Sequence, residues 1–305
     1  MKLPSEAVVP NLSKIPPAPF GRKGWPWECA PERNSRDVDL LVHWPKITVV
    51  TPSFNQGRFL EQTLRSVLLQ QYPNLEYIVM DGGSSDNSIA IIDKYRSLLS
   101  YSQSKPDGGQ AKALGLGFER ATGELYGYLN SDDILFPGAL RHIARTFLRF
   151  PNAGVVYGNR MVIDEAGKVT GRHIWPYLLS RYHWANGQPL AQECCYWRKE
   201  VYLKVGGIDR SKFFIMDYDL LYRMWTVSKF CKTRAYLGAI RLHGETKNAR
   251  YRDVWQRELA KAKLDFGLRE PGYFRIRIMN RMDRMQFLFD EMADRVCGSK
   301  LPSIE

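Results

Sequence analysis

Residues 75–86 read LEYIVMDGGSSD. Leu75–Met80 is a short apolar run rich in strand formers, and Asp81-Gly82-Gly83 stops it with residues that favour a turn. Ser85 or Asp86 stands where a helix cap belongs, and Ile89, Ile92 and Tyr95 recur on one side of the helix that follows. The same unit lies upstream. Ile47–Thr51 (ITVVT) is a strand closed by Pro52, and Phe59, Leu60, Leu64, Val67 and Leu68 follow at helical spacing. Downstream come a weaker strand near Leu98–Gln103, a helix from Gly108-Gly109 to near Gly123, and a strand at Leu125–Leu129 that runs into Asn130-Ser131-Asp132-Asp133. Strands alternating with helices of about 10–15 residues predict an α/β, Rossmann-like fold: a mostly parallel central sheet flanked by helices.

In such sheets a ligand sits at the carboxyl ends of the strands. That rule gathers three turns distant in sequence onto one rim: Pro52–Asn55, Asp81–Asp86 and Asn130–Asp133. Past Pro137 the pattern predicts a helix over Leu140–Phe150 and a strand over Gly154–Tyr157. Tyr157–Pro189 reads as irregular and rich in aromatics. A strand at Cys194–Trp197, a short helix at Glu200–Val205, the Gly206-Gly207 turn and a helix from near Asp217 follow.

The flanks differ in composition. Residues 1–45 hold eight of the 17 prolines and no periodicity, which predicts an extended arm laid over the domain through Trp25, Trp27 and Trp44. Residues 46–246 hold the alternating units and are expected to form one domain, the one that carries the rim. Residues 247–305 are a basic, amphipathic, helical extension. There Phe274, Ile278, Met282, Met285, Phe289 and Met292 make one apolar stripe, with Arg275, Arg277, Arg281 and Arg284 at other positions around it. The stripe suits either packing on the domain or a second subunit, or an anionic membrane surface.

The chain of 305 residues is 44% hydrophobic and 25% charged, as in ordinary soluble domains. No stretch approaches the roughly 20 apolar residues of a membrane span. The proline-broken start lacks a signal-peptide core, so a cytoplasmic protein is expected, peripheral on the inner face of the membrane if the tail binds lipid. Five cysteines, at 29, 194, 195, 231 and 297, have neither disulfide nor zinc spacing and read as reduced thiols. The net charge of +12 favours anionic partners. A nucleic-acid module would interleave aromatic and basic residues on one face; only the tail offers a trace of that, and nucleic acid is not the expected partner. A nucleotidyltransferase would carry a glycine-rich basic phosphate loop, of which TPSFNQGRF is a poor version.

The chemistry-bearing residues sit on the rim. A carboxylate at a strand end, as in Asn130-Ser131-Asp132-Asp133, can hold a divalent cation against a diphosphate; Asp132 or Asp133 could instead cap the following helix. Asp81 could accept hydrogen bonds from a ribose or base, whereas Asp86 reads as a helix cap. In Met216-Asp217-Tyr218-Asp219-Leu220 two carboxylates open a helix, where either could cap it or take a proton from a sugar hydroxyl. His243, between Arg241 and Lys247, suits a diphosphate or its metal as well as a structural role.

Six segments, KITVVTPSFN (46–55), YIVMDGGSSD (77–86), DGGQ (107–110), YLNSDD (128–133), GGID (206–209) and MDYDL (216–220), follow in the order seen in family 2 glycosyltransferases, over about 200 residues. The resemblance implies a GT-A fold and inverting transfer of a sugar from a nucleotide-diphosphate sugar, a UDP-sugar first among donors, to a glycan or lipid-linked saccharide. It implies that Pro52, Ser53, Phe54, Asp81, Gln110, Asn130, Ser131 and Asp132 bind the donor. It further implies that Asp132 and His243 hold Mn²⁺ or Mg²⁺, and that Asp217 is the catalytic base. Asn130 replaces the first Asp of the family's Asp-x-Asp motif, Met216 replaces an acidic residue before Asp217, and Lys112 and Gly115 stand where relatives often carry Asp or Asn.

Overall fold

The computed structural model describes residues 12–29, 43–187, 190–244 and 251–269, with 277–279, 281–285 and 288–289 in the C-terminal part. Lys247, Phe274, Arg275 and Met292 lie outside the described residues.

The first half follows the expected alternation. Strand β1 (Ile47–Ser53) leads to helix α1 (Leu60–Leu68), β2 (Leu75–Asp81) to α2 (Ser88–Tyr95), and β3 (Tyr101–Ser104) to α3 (Gln110–Arg120), before β4 (Leu125–Tyr128). These four strands are parallel, in the order β3-β2-β1-β4. Every residue of β1 is buried, as expected of a central strand covered on both faces. One apolar cluster, with Leu60, Leu64 and Val67 of α1, packs on one face; another, with Leu114 and Phe118 of α3, packs on the other.

The second half makes the sheet mixed. After the short β5 (Ile134–Leu135) and α4 (Ala139–Arg149), β6 (Ala153–Ile163) forms a hairpin with β7 (Val169–His173). Helix α5 (Arg181–Asn186) precedes β8 (Cys195–Arg198) and α6 (Lys199–Lys204), and α7 (Met216–Val227) precedes β9 (Lys229–Arg241). β8 runs antiparallel to both β4 and β6, β9 lies parallel to β6, and β5 closes the path antiparallel to β9. The nine strands of the described residues thus form one sheet that is parallel at its N-terminal end and mixed beyond β4.

Two features depart from the sequence reading. The stretch expected to be irregular from Tyr157 contains the rest of β6, β7 and α5. Neither Asp132 nor Asp133 caps α4: Gly138, with φ +78°, occupies that position. The polar chain of Asp132-Asp133 instead turns directly into β5.

The N-terminal arm is fixed through one buried arginine. Arg65 of α1 donates from Nε to Pro26 O (3.0 Å), from Nη1 to Pro16 O (2.6 Å) and from Nη2 to Trp27 O (2.8 Å). Trp25 is buried, with Nε1 donating to Leu135 O at 2.7 Å. Trp44 packs edge-on against Tyr72. A buried guanidinium bonded to three carbonyls is satisfied only while the arm is in place.

The chain beyond residue 250 also joins the core. Helix α8 (Arg252–Asp265) buries Leu259 and Ala262 against the cluster that contains α7, and Leu268 follows them. Arg181 Nη2 donates to Phe266 O and Gly267 O. Residues 277–279, 281–285 and 288–289 are helical.

Candidate active site

The rim begins where β1 and β2 end. Ser53 faces Asp81 in the parallel register, and Gly82 N donates to Ser53 O at 2.8 Å. Pro52 is buried within β1. Ser53 is 4% exposed, and its Oγ has no hydrogen-bond partner among the described residues. Phe54 is the opposite: 61% exposed, an aromatic face standing on the rim. Asn55 joins the two turns, donating from its backbone N to Ser84 Oγ (2.8 Å) and accepting at Oδ1 from Ser85 N (2.8 Å).

Asp81, expected to touch the nucleoside, is fully buried. Its Oδ2 accepts from Gly83 N (3.1 Å), Ser84 N (2.9 Å) and Ser104 Oγ (2.6 Å), and its Oδ1 from Ser84 Oγ (2.5 Å). The carboxylate organises its own turn and offers no surface to a ligand. The carboxylate that does border this rim belongs to Asp107, which the sequence reading passed over. A Cβ built on Gly82 would meet both Asp107 oxygens (3.2 and 3.3 Å) and the Phe54 ring (3.3 Å), so glycine keeps a narrow gap open between them. Asp107 Oδ1 accepts from Gly109 N at 2.7 Å, and Gly109 adopts φ +115° to allow it. Its place at the head of DGGQ, the segment already singled out, was the available signal. Asp86, read as a helix cap, stands one residue ahead of the cap position of α2, which Asn87 occupies; its carboxylate accepts from Ser88 N and Gly57 N. Burial raises its pKa, but those bonds outweigh it and hold the carboxyl below its usual range.

The third and fourth turns are bonded to each other. Gln110 Nε2 donates to Asn130 Oδ1 at 2.8 Å, bringing two expected donor-binding residues together across 20 positions. Ser131 is buried. Asp133 is 1% exposed and structural: Oδ1 accepts from Arg241 N (3.1 Å) and Oδ2 from Gln192 Nε2 (3.2 Å). Burial, with Asp132 and Glu193 nearby, pushes its carboxyl well above the usual range.

Asp132 keeps part of its side chain open, and His243 Nε2 lies 3.0 Å from its Oδ2. The expected metal pair, 111 residues apart in sequence, is thus in contact. The antiparallel pairing of β5 with β9, Ile134 opposite Ala239, makes this happen, since Asp132 precedes β5 and His243 follows β9. Arg241 secures the join. It is 1% exposed, and it donates from Nε to Asp132 O (2.9 Å) and from Nη2 to Gln62 Oε1 (2.5 Å). The Phe59 ring packs against both its guanidinium (4.8 Å) and the His243 ring (4.7 Å). Among the described residues no group of three or more acidic, His or Cys side chains is arranged to hold a metal ion. Asp132 and His243 supply one hard oxygen and one imidazole nitrogen, a donor set suited to Mn²⁺ or Mg²⁺ completed by phosphate oxygens and water.

Asp217 and Asp219 separate clearly. Asp219 is 5% exposed, and its Oδ2 accepts from Arg223 Nε (2.9 Å) and Nη2 (2.5 Å). Arg223 also donates to Val205 O and Gly207 O, so the pair ties α7 to the end of α6. Asp217 retains partial exposure at the second residue of α7, and its Oδ1 accepts from Tyr218 N at 2.8 Å.

The model of glycosyl transferase family 2 matches residues 48–202, just over half of the chain. This chain belongs to glycosyl transferase family 2. Its relatives include an uncharacterised glycosyltransferase of Rickettsia prowazekii, 26% identical over 72% of this chain and 73% of that one. Another, from Nostoc sp., is 28% identical over 72% of this chain and 71% of its own. The chain spans only 36% of a longer Rickettsia conorii relative at 26% identity over 69% of this chain. Two solved structures share the fold. The S. aureus TarS 1–349 complex with UDP-GlcNAc has a TM-score of 0.56 at 17% identity, over 72% of this chain and 66% of that one. The Pyrobaculum calidifontis mannosyltransferase complex with GDP-Man and Mn²⁺ has a TM-score of 0.58 at 17% identity, over 75% and 66%. The GT-A architecture expected from the six motifs is the one this family 2 chain adopts.

Proposed function

We propose that this family 2 chain transfers a hexosyl group, with inversion, from a nucleotide-diphosphate sugar to an acceptor hydroxyl. The observation that carries the proposal is the Asp132–His243 contact on the rim that also bears Phe54, Gln110 and Asn130. Solved relatives hold UDP-GlcNAc in one case and GDP-Man with Mn²⁺ in another, which supports a sugar-nucleotide donor, with a UDP-sugar the first to test.

In this reading Phe54 stacks on the base and Ser53, Gln110 and Asn130 hold the nucleoside and sugar. Asp81 acts one step back, by fixing the turn under them. Asp132 and His243 would hold a divalent cation, which when bound supplies positive charge against the diphosphate. Asp217 accepts the proton of the acceptor hydroxyl as that oxygen attacks the anomeric carbon from the face opposite the leaving group. Asp219 cannot share this work while it is bonded to Arg223.

The acceptor reading is a glycan or lipid-linked saccharide, in surface polysaccharide or glycan assembly, with the enzyme peripheral on the cytoplasmic face of a membrane. No helix among the described residues is long and apolar enough to cross a bilayer. The C-terminal helical residues favour a surface. Ile278, Met282, Met285 and Phe289 are all large, apolar and exposed. Asp283 faces the body, with its Oδ2 3.4 Å from His183 Nε2. Phe289 also packs on Arg234. Exposed apolar side chains beside Arg277, Arg281 and Arg284 are the combination that an anionic membrane surface would meet.

Nucleoside-diphosphate release, measured across UDP-, GDP- and dTDP-sugars with Mn²⁺ and with excess EDTA, tests the core of the reading. Release with at least one sugar nucleotide, stimulated by an added acceptor and abolished by EDTA, is expected. Full activity in EDTA would remove the metal from the mechanism, and no turnover of any sugar nucleotide with acceptor extracts would overturn the transferase reading.

A further inference from the structure

Helix α7 lacks a cap of its own. The residue at its N-cap is Ile215, whose side chain cannot accept a hydrogen bond, and no side-chain cap bond is made there. Uncapped N–H groups at a helix start carry a cost unless something accepts from them, and they hold partial positive charge. Three successive backbone N–H groups just ahead of α7 converge on one carboxylate from far along the chain. Phe213 N donates to Glu258 Oε1 at 2.9 Å, and Phe214 N and Ile215 N donate to Glu258 Oε2 at 2.9 and 3.1 Å. A run of N–H groups aimed at one anion is a nest of the kind that binds phosphates and carboxylates tightly.

Glu258 stands on α8, and α8 is seated to deliver it. Leu259, the next residue, and Ala262 are buried in the cluster that holds α7. Tyr222 of α7 stacks on Phe266 at 4.1 Å and 22°, and Phe213 meets Tyr251 edge-on at 5.4 Å. Tyr218 OH donates to Trp184 O, its ring 6.4 Å from Phe266, and the Asp219–Arg223 pair holds α7 to the end of α6. Asp217 lies two residues after Ile215, in the turn whose approach Glu258 orders.

We propose that Glu258 is a positioning residue for sugar transfer: it anchors the three backbone N–H groups that lead into α7, up to and including the N-cap residue Ile215, and thereby sets the direction of the Asp217 carboxylate. The proposal rests on the reading of Asp217 as the base. It gives the segment after the metal-side His243 a catalytic duty on the acceptor side. Donor binding is independent of it, because Phe54, Gln110, Asn130 and Asp132 lie on strands and turns that Glu258 does not touch.

The test compares Glu258→Ala, Glu258→Gln, Asp217→Asn and the double variant Glu258→Ala/Asp217→Asn in the full-length protein, with Leu259→Ala as a control for loss of α8 packing. Transfer kcat, donor KM and nucleotide Kd are measured well below each variant's melting temperature. Glu258→Ala is expected to lower kcat 10- to 100-fold with donor KM and nucleotide Kd within about twofold of the parent. Glu258→Gln, which keeps one oxygen acceptor, is expected to recover most of that loss. Leu259→Ala is expected to melt earlier yet keep its kcat, and the double variant is expected to be no slower than Asp217→Asn alone. Glu258→Ala with parental kcat, or a Glu258→Ala loss matched by Leu259→Ala, overturns the proposal. So does a double variant that is slower than Asp217→Asn by the full Glu258→Ala factor. An active Asp217→Asn is a different result: it defeats the assignment of the base, whatever Glu258 does.

Discussion

At the scale of single residues, chemistry and architecture are divided between neighbours that look alike in sequence. Asp132 and Asp133 are adjacent, yet one is open beside His243 and the other is buried under Arg241. Asp217 and Asp219 are two apart, yet only Asp219 is locked to Arg223. Substitutions should respect the division. Asp217→Asn should lower transfer by about 10²–10⁴-fold, the range for loss of a general base, with nucleotide affinity nearly unchanged. Asp219→Asn should instead lower the melting temperature while the folded fraction still turns over. The reverse pattern in paired kinetic and melting measurements would move the base to Asp219. Asp132→Ala should abolish the gain in nucleotide affinity that Mn²⁺ gives, read by calorimetry with and without the ion, and leave metal-free affinity within a few-fold. The difference within NSDD is not legible locally, because its partners Arg241 and His243 lie more than 100 residues downstream, at and after the end of β9, whereas that within MDYDL turns on Arg223, four residues on in the same helix.

At the scale of elements, the β-strand–helix units of the first half were readable, and so in the second half were α4, the start of β6, β8, α6 and α7, whereas β5, β7 and β9 were not. β1 and β2 announce themselves by runs with β-branched residues, β4 by a short apolar and aromatic one, each ending in Pro, Gly or Asn, and their helices by apolar spacing. β9 does not. KFCKTRAYLGAIR begins with cationic residues on its exposed end and has no clean alternation, since its burial is set by β6 on one side and β5 on the other. The tail is the element on which local pattern speaks most and packing least. If its outward stripe meets lipid, the protein should sediment with vesicles rich in anionic phospholipid at low salt and release at high salt, with little binding to neutral vesicles. Met282→Asp/Met285→Asp should abolish sedimentation without changing nucleoside-diphosphate release from a soluble acceptor. Equal binding by that variant would mean that the stripe is not the contact.

At the scale of the whole molecule, long-range polar clamps hold the helices and strands to one another. Glu76 is one. Its carboxylate accepts from Thr48 Oγ1 (2.5 Å), Thr122 N (2.7 Å) and Thr122 Oγ1 (2.6 Å) and pairs with Lys46 Nζ (3.1 Å), joining β1, β2 and the end of α3. Burial raises its pKa, but the bonds from Thr122, Thr48 and Lys46 outweigh it and hold the carboxyl below its ordinary value. A depressed folded-state pKa contributes stability that is present above the unfolded value and is lost as pH falls through the folded one. Glu76→Gln should therefore cost about 1–3 kcal/mol at pH 7, and the gap to the parent should close below about pH 4. Denaturant melts at pH 7 and pH 3.5 measure it, and a gap that stays constant with pH would deny the charge any part. The sequence by itself determined the parallel half of the sheet, the rim on which its turns gather and the residue types placed there, because periodicity and turn chemistry act over a few residues. Only the tertiary structure decided which carboxylates stay open, that Asp81 builds its turn while Asp107 borders the rim, and that His243 meets Asp132 and Glu258 meets Ile215, 111 and 43 residues apart in sequence. Those outcomes depend on which strands pair and which helices dock, and the energies that choose them come from burial and hydrogen bonds between segments that carry no local mark of their partners.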